Sequence, residues 1–66
     1  MKYVYIKEPQ RERIFDAFAA NAMRDEGDTF AGWLMRTYNI KHLTTTEIGI
    51  WVEGTERDLT MFLLKF

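Results

Sequence analysis

The last eight residues, Leu59 to Phe66 (LTMFLLKF), constrain this chain more than any other stretch. Read as a strand, they put Thr60, Phe62, Leu64 and Phe66 on one face and Leu59, Met61, Leu63 and Lys65 on the other. A half-buried strand alternates apolar with polar, and this one is apolar on both faces. A chain of 66 residues builds about one layer of helix over one face of a small sheet. The second apolar face therefore calls for cover from outside the chain, and the expectation is a partner.

Composition limits how such a chain holds together. It has no cysteine to form a disulfide, and its single histidine leaves no ordinary structural zinc site. Stability must come from packing, for which the material is present. The chain is 47% hydrophobic, and its five Phe, three Tyr and two Trp make ten aromatic rings. Each ring brings roughly 150–250 Å² of surface to bury. The expectation is one domain over residues 1–66.

The opening Met1-Lys2 leads into far too short an apolar run for a signal peptide. No stretch approaches the roughly 20 apolar residues of a membrane span. With cysteine absent as well, the expected setting is the cytoplasm. Net charge is −1, with acidic and basic residues mixed along the chain. Charge thus selects neither a strongly basic nucleic-acid binder nor an acidic mimic of one.

Residues 2–6 alternate, with Val4 and Ile6 on one face and Tyr3 and Tyr5 on the other, which predicts a strand. Pro9 suits the first turn of a helix, and the rows Ile14–Phe18–Ala22 and Phe15–Ala19–Met23 predict that helix over 10–25. Gly27 is the natural stop, and Asp28 or Thr29 the cap of a second helix reaching about Tyr38. That helix is apolar nearly all round, which points to burial on more than one side. Asn39 ends it, and Ile40–Thr46 connects it to a strictly alternating strand, Glu47–Glu53. Gly54–Arg57 then reads as a hairpin loop before the terminal strand.

The expected fold is α+β in the order β-α-α-β-β, a small three-stranded antiparallel sheet with a helical pair on one face. Val4, Ile6, Ile48, Ile50 and Val52 would point inward. The expected partner-binding surface is the opposite face, formed by Tyr3, Tyr5, Trp51, Leu59, Met61 and Leu63. Together these exceed the few hundred Å² of contiguous apolar surface that a monomer normally exposes. Gly49 would make room for an aromatic ring on that face.

Catalytic chemistry is thinly represented. There is no Ser and no Cys, and His42, in the Ile40–Thr46 connection, is the lone imidazole. The acidic run Asp25-Glu26-Gly27-Asp28 is the most metal-like feature, but Phe30 and Ala31 interrupt the ligand spacing of a calcium loop. No glycine pattern fits a phosphate loop. The expectation is therefore a non-enzymatic protein without cofactor or metal: a regulator or inhibitor in the style of phage accessory proteins, bound to a larger protein or to a second copy. The terminal strand would offer an open edge to that copy.

The alternative is a dimeric nucleic-acid-binding regulator. Tyr3, Tyr5 and Trp51 could stack bases while Lys2, Lys7, Arg57 and Lys65 reach phosphates, opposed by Glu47, Glu53, Glu56 and Asp58 on the expected hairpin. Over about the first 40 residues, strand, helix, Gly27-Asp28-Thr29 and helix also loosely resemble a ribbon-helix-helix repressor. In that family paired N-terminal strands enter the major groove. Here the first helix is longer, the strand carries few base-reading side chains, and the C-terminal hairpin is extra.

Overall fold

Alternating aromatic and β-branched residues make Lys2–Lys7 the first strand, β1. The computed structural model describes residues 1–22, 27 and 29–66. Helix α1 (Gln10–Ala22) follows, its first turn held by Glu8, whose carboxylate accepts from the Glu12 N–H at 3.1 Å. The stretch 23–25 of the expected helix lies outside the described residues, as do Glu26 and Asp28. Gly27 has φ +93°, the left-handed conformation expected of it.

Thr29 caps α2 (Phe30–Tyr38), its hydroxyl accepting from the Gly32 N–H at 3.0 Å. Asn39, at φ 59°, ends the helix, and its amide bonds to the Met35 carbonyl at 3.0 Å. That turn drives Ile40 into the core, where it is fully buried.

The chain then departs from the expected path. Lys41–Thr45 is not a connection but a strand, β2, and it pairs antiparallel with β3 (Gly49–Gly54). The hairpin therefore turns at Thr46–Ile48, not at Gly54–Arg57. Its closure is local: the Thr46 hydroxyl donates to the Gly49 carbonyl and accepts from the Gly49 N–H, both at 3.0 Å. Ile48, expected inside, sits exposed in this turn.

The terminal segment is a helix, α3 (Glu56–Lys65), not a strand. Thr55 caps it, its Oγ1 accepting from the Asp58 N–H at 3.1 Å and donating to the Asp58 carboxylate at 2.9 Å. Leu59 and Phe62 are buried, with Leu63 and Phe66 packed beside them. That is the i, i+3, i+4, i+7 spacing of one helix face.

Among the described residues the architecture is thus β-α-α-β-β-α, a three-stranded antiparallel sheet of order β1-β3-β2 with three helices rather than two. Because β1 pairs with β3 of its own chain, its strand is not the free arm of a ribbon-helix-helix protein. The core gathers Ile6, Ile50 and Val52 from the sheet with Ile14, Leu34, Leu59 and Phe62 from the helices.

An unbroken series of rings knits the helices together. Phe15 and Phe18 of α1 meet Phe30 of α2 at 4.7 and 5.5 Å between ring centres. At the other end of α2, Tyr38 meets Phe62 and Phe66 of α3 at 4.9 and 6.0 Å. Each such pair adds about 0.5–1.5 kcal/mol beyond area burial. The second cover that α2 requires is therefore α3. The folded chain exposes 4575 Å², close to the roughly 4,400 Å² that a monomer of its mass exposes.

Candidate functional site

Seven of the ten rings (Phe15, Phe18, Phe30, Trp33, Tyr38, Phe62 and Phe66) pack within the helical layer or against it. The remaining three, Tyr3, Tyr5 and Trp51, lie on the other face of the sheet. Period-two alternation puts them there: Tyr5 pairs with Trp51 and Tyr3 with Glu53, one residue out of step with the inward pairs Val4–Val52 and Ile6–Ile50. Among the described residues, all three helices pack against the inward face. Tyr3 is 63% exposed and Trp51 40%.

The three rings differ in how firmly they are held. Tyr5 lies over Gly49, where an added Cβ would stand 2.6 Å from the ring. Its hydroxyl is 2.8 Å from the Thr46 Oγ1. Since the Thr46 proton is directed at the Gly49 carbonyl, the Tyr5 phenol is the donor. Trp51 leans on this anchored ring at 5.0 Å between centres, tilted by 42°. Arg11 steadies the same turn from α1, donating to the Thr46 carbonyl at 2.8 Å.

Tyr3 stands opposite Glu53 across the β1–β3 ladder. A hydrogen bond to that carboxylate, and then its charge, raise the Tyr3 hydroxyl above the ordinary tyrosine value of 10.0. The phenol therefore stays protonated throughout the neutral range.

Lys7, Lys41 and Thr44 complete the face by register, with Lys41 opposite Glu53 and Thr44 opposite Trp51. Two lysines against one glutamate leave it with a net charge of +1. Of the four acidic residues expected to crowd it, Glu53 is on the face and Glu47 sits in the hairpin turn, while the other two are elsewhere. Glu56 sits on α3 in an ion pair with Lys2 at 3.2 Å. Asp58 is occupied by the α3 cap and by the Asn39 side chain at 3.1 Å. Arg57 and Lys65, expected to reach phosphates here, are also on α3.

Of the six expected partner-binding residues, Tyr3, Tyr5 and Trp51 come together and the other three leave the site. Leu59 is a core residue, 3% exposed, because helical rather than period-two spacing governs its segment. Met61 is 61% exposed and Leu63 partly buried, both on α3 rather than on the outer sheet face. Sequence reasoning passed over Thr46 and Lys41, which the true hairpin position brings to the edge of the site.

A concavity of about 270 Å³ opens between the helices beside Trp33, Tyr38, Lys65 and Phe66. It falls below the roughly 300–1,000 Å³ usual for ligand pockets. Among the described residues no cluster of three His, Asp or Glu side chains stands ready for a metal ion, and no helix is long and apolar enough to cross a membrane. Compared with known proteins, the chain matches no family model, no curated protein and no solved structure.

Proposed function

We propose that this chain is a small non-enzymatic interaction protein of the cytoplasm. It docks the aromatic outer face of its sheet onto a larger protein, as a regulator or inhibitor of the kind carried by phage accessory genes. One observation supports this reading above the others. Tyr3, Tyr5 and Trp51 occupy a face that the fold does not need for its own core. Tyr and Trp are enriched at the centres of interfaces, where they combine large contact area with few rotatable bonds. Tyr5 is anchored before any partner arrives, which lowers the entropy cost of docking.

The test is capture of protein partners by wild-type chain and by a Tyr3→Ala/Trp51→Ala double variant, with circular dichroism as a check on folding. The variant should keep its helix content and lose a partner that wild type retains at both low and high salt. Equal capture by both chains would sink the assignment.

A second reading has its own support. The lysines Lys7 and Lys41 flank the rings, with Glu53 as the acidic residue on the face, and stacking rings bordered by cations suit single-stranded nucleic acid. Retention of a labelled single-stranded oligonucleotide that collapses steeply with salt would favour it over the protein partner.

A further inference from the structure

We propose that two copies of this chain pair through the open edge of β1, antiparallel about a two-fold axis at Tyr5, joining two three-stranded sheets into one of six. The two edges of the sheet are built differently. β2 loses register between His42 and Thr44, and irregularity of this kind blunts an edge against pairing. β1 instead runs in unbroken register with β3 from Lys2–Gly54 to Lys7–Gly49, with Tyr-Val-Tyr-Ile at its centre.

The backbone groups that face outward can be identified. The Ile6 carbonyl oxygen lies 2.7 Å from where a Cβ on Gly49 would stand, so it is turned toward β3. In an antiparallel strand the N–H and C=O of one residue point the same way, and successive residues alternate. Tyr3, Tyr5 and Lys7 therefore present theirs to the open edge.

An antiparallel pairing centred on Tyr5 satisfies all of them. Tyr3 stands opposite Lys7 of the second copy, Tyr5 opposite Tyr5, and Lys7 opposite Tyr3. On the outer face this sets an ammonium beside a phenol ring and two rings beside each other. On the inner face it sets Val4, only half-buried in one copy, against Ile6 of the other. No like charges meet. Centring on Val4 instead would bring Lys2 against Ile6 on the apolar face, and a one-residue slip would oppose inner to outer side chains.

The pairing rests on the edge of β1 and not on the docking role above, although it would place Tyr3, Tyr5 and Trp51 twice on one continuous surface. Sedimentation of the full chain over a concentration series should show a reversible monomer–dimer equilibrium. Tyr3→Pro deletes an outward N–H without touching a bond to β3, and should raise the dimer dissociation constant about tenfold or more. With no native cysteine, chains carrying Tyr3→Cys can be mixed with chains carrying Lys7→Cys and oxidised. The mixed disulfide should exceed either self-disulfide. A chain that stays monomeric at about 1 mM, a dimer indifferent to Tyr3→Pro in a folded chain, or cross-linking without preference for the mixed product would each overturn the pairing. Because these measurements need no outside partner, their failure leaves the docking role standing, and the reverse holds as well.

Discussion

The terminal segment and the outer sheet face look alike in sequence, each an apolar surplus with no evident cover, yet the fold treats them in opposite ways. Leu59–Phe66 solves its own problem by turning into a helix, which sends Leu59, Phe62, Leu63 and Phe66 to one side and covers α2 in the process. Tyr3, Tyr5 and Trp51 have no such option. Their strands must keep period two because Val4, Ile6, Ile50 and Val52 fill the core from the opposite face. A surplus in a segment free to change its period is absorbed, whereas one locked to a strand already buried on its other face remains on the surface.

The sharpest break between the two regions should come from removing one ring of each. Phe62 is 1% exposed and contacts Tyr38 and Phe66. Phe62→Ala should cost about 3–5 kcal/mol, enough to unfold much of a domain this small. Trp51→Ala removes a ring that is 40% exposed and leans on Tyr5 from outside the core, and should cost less than about 1 kcal/mol. Thermal or urea denaturation of both variants measures the contrast. Similar losses would mean that the outer rings are structural after all.

Gly49 tests how firmly the outer face is fixed to the backbone below it. An alanine there would bring its Cβ to 2.6 Å from the Tyr5 ring and 2.7 Å from the Ile6 carbonyl. The ring can move but the carbonyl belongs to the β1–β3 ladder, so Gly49→Ala should destabilise by about 1–3 kcal/mol. Loss of the Tyr5–Trp51 contact should also change the Trp fluorescence. A variant with wild-type stability and spectrum would contradict the close packing.

Where the sequence was legible, it was so for physical reasons. The α+β class, the strands β1 and β3, the Thr29 cap, the Asn39 stop and the ring over Gly49 all follow from local spacing and turn chemistry. β2 was not legible as a strand because it is an edge with His42 alone half-buried, so Lys-His-Leu-Thr-Thr shows no apolar alternation. Misplacing that strand forced the hairpin onto Gly54–Arg57 and left the terminal residues as the third strand. The correcting signal was present in Thr55-Glu56-Arg57-Asp58, a capping sequence just ahead of an apolar run with helical spacing. Thr55→Ala should therefore weaken α3 by about 1 kcal/mol. A shift of that size in the urea midpoint with unchanged slope checks it, and no shift would mean that packing alone holds the helix.

The smallest effect separates the two faces by their response to pH. His42 sits on the helix side of the sheet, its ring edge-on to Phe30 at 5.3 Å and its Nε2 2.8 Å from the Thr45 Oγ1. Burial disfavours the imidazolium and lowers the pKa of His42 from its ordinary 6.5. The unfolded chain, titrating near 6.5, then binds the proton more readily than the folded chain. The contribution of neutral His42 is accordingly complete above pH 6.5, declines as pH falls through 6.5, and levels off below the folded value. Tyr3 on the outer face shifts the other way and titrates far above this window, so the outer face should add nothing to it. Carboxylates also titrate in acid, so the measurable quantity is the stability difference between wild type and His42→Gln. That difference should move against wild type between about pH 8 and about pH 5. A constant difference across the range would show that the ring is as well solvated in the folded chain as in the unfolded one.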